Sequence, residues 1–310
     1  MRTEFYEKLR TLLLAGESPV LESSLEPGHL GEERLSWSGG ALGALPKGRA
    51  FTQTLSAPAR LVICGGGHVA RCLAPAARTV GFQVTVLENR LDVLAEGNFG
   101  PDIDCRCGGF VECLQNGAFG PNAFYAIMTR GHQDDWVCLK TALTLPHGYV
   151  GMMGSRSKVA ATRKMLAAEG VDAEAIDSVH SPIGIKIGAE TPAEIAVSIV
   201  AELIQCRHAL GLEAPLIPAV IDALGEMPYA MVTLVNCEGS TPRSEGARML
   251  VLPDGSIAGT IGGGISEASA KRDALRALAE NAPMMGHYEL NSIGGAVCGG
   301  KVDYLIVPVQ

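Results

Sequence analysis

Three groups of residues in this chain have the types and the spacing to do chemistry. The first is Gly65-x-Gly67-x-x-Ala70, with Glu88 following it. Gly65 suits a tight turn, Gly67 lets a pyrophosphate approach the backbone, and Ala70 permits close packing of a helix on a strand. A helix opening at His68 would offer unpaired N–H groups and a positive dipole end to an anion. Glu88 stands roughly 20 residues on, where an acid that holds a ribose is expected. The same glycines would serve equally in a turn that packs the fold and binds nothing. Arg90 would either pair with Glu88 or face a 2′-phosphate.

The second group is a pair of loops, Thr129-Arg130-Gly131-His132-Gln133-Asp134-Asp135 and Gly154-Ser155-Arg156-Ser157-Lys158, each following an apolar run. His132 beside two carboxylates has the makings of a base or a ligand, while Asp134 or Asp135 would as readily cap the next helix. Ser155 and Arg156 read as a second anion site, or as a cap and a solvated charge. The third group is Arg243, Arg248, Gly262-Gly263-Gly264 and Cys298-Gly299-Gly300. Successive glycine N–H groups can form an anion nest, and two arginines add charge-assisted donors suited to phosphate. Cys298, unshielded on the Gly299–Gly300 side, would ionise more readily beside such groups. Its thiolate would be a nucleophile and a soft metal ligand; the alternative is a buried thiol in a tight turn.

Apolar periodicity supplies the elements that must position these groups. Residues 60–64, 83–87, 124–128 and 149–152 read as strands, and helical patterns over 68–80, 135–145 and 156–169 alternate with them. Such alternation argues for a parallel sheet covered on both faces, with ligands at the carboxyl ends of the strands. Thr191-Pro192-Ala193-Glu194 is a capping box that opens a long helix ended by Gly211. Beyond the Pro-containing stretch 212–218 the character changes. Strands at 229–235 and 302–307, a hairpin turning at Pro253-Asp254-Gly255 and a helix over 266–280 follow. The fold class expected is α/β, a Rossmann-like parallel sheet domain plus a smaller α+β Gly-rich domain. Its divisions are an N-terminal helix/strand segment over 1–56, the Rossmann-like domain over 57–212 and the Cys-Gly-Gly domain over 213–310. Within 26–50, hairpins or loops are expected and no chemistry is assigned. His147, His180 and His287 show no partner pattern and read as structural.

Composition narrows the function classes. The 310 residues are 47% apolar and 19% charged, which excludes general disorder. A formal net charge of -8 disfavours nucleic acid and anionic lipid as partners. The charged start, Met1-Arg2-Thr3-Glu4, does not read as a signal peptide, and no run reaches the about 18 apolar residues of a spanning helix. A soluble, cytoplasmic protein is expected. Nine cysteines without CxxC spacing argue against a disulfide framework, and Cys105 and Cys107, with no further Cys or His nearby in sequence, argue against a metal site there.

The motifs together resemble the XdhC/CoxI family, the xanthine dehydrogenase accessory factors. Glu238-Gly239-Ser240-Thr241-Pro242-Arg243 through Gly246-Ala247-Arg248-Met249-Leu250-Val251 looks like the family's opening signature. Gly259-Thr260-Ile261-Gly262-Gly263-Gly264, Glu267 and Cys298-Gly299-Gly300 continue it in order. Ile63-Cys64-Gly65-Gly66-Gly67-His68, His132 with Asp135, Tyr149-Val150-Gly151-Met152-Met153-Gly154-Ser155-Arg156 and Ser181-Pro182-Ile183-Gly184-Ile185 are similar to its Rossmann-like partner domain. The family usually places the Cys-Gly-Gly domain first, and here the order is reversed; residues 1–56 resemble its middle segment loosely. The resemblance implies an accessory protein or chaperone rather than a catalyst. Such a factor holds molybdenum cofactor (molybdopterin), with Cys298 at the metal. The cofactor stays there while a cysteine desulfurase supports sulfuration, and then passes to an apo molybdenum hydroxylase. A homodimer is compatible with it. The alternative reading is an NAD(P)-dependent oxidoreductase that uses the Rossmann-like domain.

Overall fold

The computed structural model describes residues 2–56, 58–100, 102–120, 122–212, 218–225, 227–289 and 300–310, and of His132, Arg156 and Pro218 the backbone alone. The chain divides into two compact units, Met1–Ala57 with Ala214–Gln310, and Pro58–Glu213.

The chain opens with helix α1 (Arg2–Leu14), which buries Phe5, Tyr6, Leu9, Leu12 and Leu13 at helical spacing. Strands β1 (Val20–Ser24), β2 (Glu33–Trp37), β3 (Gly40–Gly43) and β4 (Ala50–Thr54) form an antiparallel sheet in the order β3-β2-β1-β4.

The second unit alternates strand and helix: β5 (Arg60–Cys64), α2 (His68–Thr79), β6 (Gln83–Glu88), α3 (Leu91–Gly97), β7 (Asp104–Cys107), α4 (Phe110–Asn116), β8 (Ala123–Ile127), α5 (His132–Thr144), β9 (Tyr149–Met152), α6 (Arg156–Ala168), α7 (Ala173–Asp177) and α8 (Pro192–Ala209). All five strands are parallel, in the order β7-β6-β5-β8-β9. The chain moves outward from β5 to β7, then returns to the other side of β5. The switch point between β5 and β8 is where such sheets open a crevice. One face packs Leu61, Ile63, Val84 and Val86 under α2 and α8, and the other packs Val62, Leu87, Tyr125 and Ile127 under α4 and α5. Each fully buried side chain of this kind contributes about 1.5–3 kcal/mol. The expected capping box is present at α8: the Thr191 hydroxyl accepts the Glu194 N–H at 3.3 Å and the Glu194 carboxylate accepts the Thr191 N–H at 2.9 Å.

The chain then completes the first unit with α9 (Pro218–Ala223), β10 (Tyr229–Glu238), β11 (Arg248–Val251), β12 (Ile257–Gly259), α10 (Gly264–Glu280), β13 (Met284–Glu289) and β14 (Lys301–Val309). The five strands are antiparallel, in the order β12-β11-β10-β14-β13. Helix α10 covers the face of Val232, Met249, Val251 and Ile306. The opposite face, with Tyr229, Met231, Leu250 and Val309, shares one core with α1, Leu21, Leu35 and Leu55. The N-terminal segment is thus built into the same unit as the Gly-rich segment, because both need that core to bury their apolar faces.

Candidate functional sites

Gly65 leaves β5 with φ +111°, and a Cβ built on it would lie 2.5 Å from the Met128 carbonyl oxygen, so only glycine fits where the β5–α2 turn passes the end of β8. A Cβ on Gly67 would meet nothing within 4 Å. Gly67 is the N-cap of α2, without a side-chain cap, and exposed His68 opens the helix. The crevice beyond holds about 590 Å³ and is lined by His68, Glu88, Arg90, Thr129, Arg130 and Met153, among others. The expected strand, glycine turn, helix and acid are therefore all in one place.

Glu88 is not a free acceptor there. Its carboxylate, 4% exposed, accepts the Gly66 N–H at 2.9 Å, the Asn89 N–H at 3.0 Å and Arg90 Nε at 3.2 Å. Arg90 is drawn to that carboxylate, and the bond raises its pKa further. Of the two readings of Arg90, the structure shows the ion pair with Glu88.

The other two loops meet at Asp135. Its side chain is fully buried; Oδ1 accepts the Thr129 N–H at 2.9 Å and the Thr129 hydroxyl at 2.7 Å, and Oδ2 pairs with Lys158. Lys158 belongs to the first turn of α6 and lies over Gly154, where a Cβ would crowd it. Asp135 thus ties the tip of β8 to the start of α6, and its oxygens are already engaged by groups other than His132. His132 is the first residue of α5 and Arg156 the first of α6. Ser155 is the N-cap of α6 and accepts the Lys158 N–H at 3.3 Å, the cap rather than the anion-site geometry.

In the other unit, the antiparallel pairing carries the third group to one end of its sheet. Glu238 ends β10 opposite Lys301, which begins β14; Glu289 ends β13 opposite the same Lys301; Gly259 ends β12 opposite Met249. The 239–247 turn, the 260–263 turn and Gly300 all lie at that end. A Cβ on Gly262 would stand 2.9 Å from Pro242 Cβ, and one on Gly300 would fall on the Ser240 carbonyl oxygen. The Ser240–Arg243 turn is in contact with both glycines. Arg243 is exposed, and its guanidinium has no hydrogen-bond or ion-pair partner among the described residues. Cys298 and Gly299, the expected sulfur site, lie outside the described residues, as do Gly294 and Gly295.

Two expectations for this end change. Gly262, Gly263 and Gly264 all have positive φ, but the Gly262 and Gly263 N–H groups are engaged from within. Glu267, one turn into α10, accepts the Ile261 N–H at 3.1 Å, the Gly263 N–H at 3.2 Å and the Thr260 hydroxyl at 2.5 Å. The Gly262 N–H goes to Thr260 Oγ1 at 3.1 Å. A carboxylate at a helix N-terminus supplies the negative charge that such donors attract. Arg248 is not a surface donor either. It alternates with Met249 along β11, so it projects to the face away from α10 and is 3% exposed. Burial pulls its pKa down to about 10 against the opposing pull of Tyr6 and Glu33.

Residues 61–203 match the family model described as the XdhC Rossmann domain, and residues 225–289 match that of the XdhC and CoxI family. The chain belongs to the XdhC/CoxI family. Its Rossmann match precedes its XdhC/CoxI match, in keeping with the reversed order read from the sequence. Uncharacterized protein YqeB of Escherichia coli is 35% identical over 153 residues, 48% of this chain and 27% of that protein. A probable xanthine dehydrogenase component of Bacillus subtilis is 32% identical over 158 residues, 51% of this chain and 46% of that protein. The chain therefore spans less than half the length of either relative. A crystal structure described as a xanthine dehydrogenase from Bacillus halodurans superposes with a TM-score of 0.57 at 27% identity, covering 66% of this chain and 64% of that one.

Some groups at the XdhC/CoxI end of the sheet escaped the sequence reading. His287 Nδ1 lies 2.6 Å from Asp303 Oδ1 and its Nε2 3.6 Å from Glu289 Oε1, while Asn236 Nδ2 donates to Asp303 Oδ2 at 2.9 Å. The Asp303 bond, with Glu289 beside it, raises the His287 pKa. The Cys237 thiol lies 3.6 Å from the Arg243 carbonyl oxygen. In the Rossmann unit, His180 Nδ1 pairs with Glu202 at 3.1 Å. Asp303 and Glu202 sit on other strands or helices than the histidines they meet, so only the folded arrangement reveals those pairs. Among the described residues, no cluster of three or more His, Cys, Asp or Glu is placed to hold a metal ion, and no helix is long and apolar enough to cross a membrane.

Proposed function

We propose that this chain is an XdhC-type accessory factor for xanthine dehydrogenase-type molybdenum hydroxylases. It takes molybdenum cofactor as cargo at the turn end of the five-stranded antiparallel sheet and delivers it to the apo-enzyme. The observation that carries the reading is the meeting of the Ser240–Arg243 turn with Gly262 and Gly300, beside which Arg243 stands as an exposed cation, unpartnered among the described residues. Arg243 suits the terminal phosphate of the pterin. Cys298, two residues before Gly300 in sequence, supplies the sulfur suited to a soft metal–dithiolene head. Arg248 does not fit as a ligand, since its guanidinium is buried on the other face of the sheet. The Gly262 and Gly263 N–H groups are held by Thr260 and Glu267 and shape the turn rather than standing free.

The names of the relatives support a hydroxylase as recipient. Sulfuration by a cysteine desulfurase while the cargo is held completes the reading. The test is activation of purified apo-hydroxylase by free cofactor, with and without the full chain and the desulfurase. Activation should depend on the chain and fall at least about tenfold, roughly 1.4 kcal/mol of lost coupling, with Arg243→Ala or Cys298→Ala. Equal activation by wild type and both variants rejects the assignment.

The crevice beside Gly67 favours a second reading, a nucleotide held by the Rossmann unit. NAD(H) or NADP(H) titration by calorimetry tests it, with hydride turnover required for the oxidoreductase form. Glu88 enters it with its carboxylate already committed to Gly66, Asn89 and Arg90.

A further inference from the structure

We propose that Gln53, in β4 of the N-terminal segment, is a positioning residue: it fixes the buried guanidinium of Arg248 and, through the Gly246 carbonyl, the 239–247 turn that holds out Arg243. The consequence for cargo rests on the carrier reading above; the effect on the turn does not.

The contact is intimate from both sides. Arg248 Nη1 donates to Gln53 Oε1, and also to the Gly246 carbonyl oxygen at 3.3 Å. Gly246 has φ +85°, and a Cβ there would fall on the Gln53 amide. The turn leaves room for Gln53 only because residue 246 is glycine. Three further backbone bonds depend on the same spot: the Gly246 N–H donates to the Leu234 carbonyl at 2.8 Å, the Leu234 N–H to the Ala247 carbonyl at 3.0 Å, and the Ala247 N–H to the Ser244 carbonyl at 3.3 Å.

The charge has no other side chain to lean on among the described residues. Glu33 and Tyr6 act on Arg248 through space, but the Glu33 oxygens are taken by the Tyr6 hydroxyl at 2.7 Å and the Ser23 hydroxyl at 3.0 Å. Arg248 Nε has no hydrogen-bond partner among the described residues. A buried cation that loses its acceptor must reach for water or for the backbone. The backbone oxygen it already touches belongs to the turn. Residue 53 also lies outside both family matches, 61–203 and 225–289.

The test compares the full chain with Gln53→Met, which keeps the bulk and removes the acceptor, and Gln53→Glu, which keeps an acceptor. Amide hydrogen exchange is read at Leu234, Gly246 and Ala247, with α10 and β14 as internal controls. Gln53→Met should speed exchange at those three amides about tenfold or more, as expected when one charge-assisted bond is lost. The controls should not move, and Gln53→Glu should restore protection. Retention of molybdenum cofactor on gel filtration should fall in Gln53→Met as far as in Arg243→Ala, and recover in Gln53→Glu. Native-like exchange in Gln53→Met, an equal rise over the whole unit, or failure of Gln53→Glu to rescue overturns the proposal. A wild-type chain that retains no cofactor defeats the carrier reading and leaves the exchange comparison to decide the role of Gln53.

Discussion

The Glu88 carboxylate accepts the Gly66 N–H at 2.9 Å, so the acid at the end of β6 is stitched to the glycine turn that leaves β5. Glu88→Ala leaves that N–H and the Arg90 guanidinium without their acceptor. The loss should cost about 1–3 kcal/mol. Urea unfolding followed by Trp136 fluorescence, which reports the larger unit, measures it.

The glycines of this turn should respond differently to one methyl group. Gly65→Ala forces a Cβ against the Met128 carbonyl at positive φ. It should destabilise the larger unit by roughly 2 kcal/mol or more. Gly67→Ala meets open space and should cost no more than about 1 kcal/mol, the scale of a changed N-cap. Thermal melts of the two variants check the contrast.

Lys158 balances the charge of Asp135, whose side chain is fully buried. Lys158→Met should cost about 3 kcal/mol, because one partner of a buried pair remains charged. The double variant Asp135→Asn, Lys158→Met should recover most of that. A double-mutant cycle in urea supplies the coupling, and additive losses would show that the pair does not act as a unit.

His287 gives the smaller unit a pH dependence of definite sign. Its bond to Asp303, with Glu289 beside it, raises its pKa in the folded chain, so the folded state holds the proton more tightly than the unfolded state does. The stabilisation is complete below the ordinary histidine pKa and is lost as pH rises through the raised value. His287→Gln should flatten that fall. Melts followed by Trp37 fluorescence between mildly acidic and mildly alkaline pH, alongside an NMR titration of His287, test it.

The parallel sheet was legible because its buried strands are near-continuous apolar runs and its helices carry clear caps, as at Thr191-Pro192-Ala193-Glu194. Strand β7 was harder to see. It lies at the edge of the sheet, reads Asp104-Cys105-Arg106-Cys107, and buries too little to show a pattern. Strand β13, another edge, alternates weakly over Met284–Glu289. At the sites, residue type showed where charge was available but not whether it was already spent. Glu88 and Asp135 are committed to backbone, arginine and lysine partners, and Glu267 takes N–H groups of the glycine turn before its own helix. Arg248 looked like a surface donor because strand parity, which turns it toward Gln53 and the N-terminal segment, emerges only once β11 is paired.

The account turns on cargo held at the Ser240–Arg243 end of the five-stranded antiparallel sheet. The most direct measurement is the molybdenum and pterin content of the full chain purified from cells that make the cofactor, beside Arg243→Ala and Cys298→Ala prepared in the same way. The account predicts that metal and pterin co-purify in equal amounts with the wild type and are depleted in both variants. Wild-type protein free of both, or variants loaded as fully as the wild type, would contradict it.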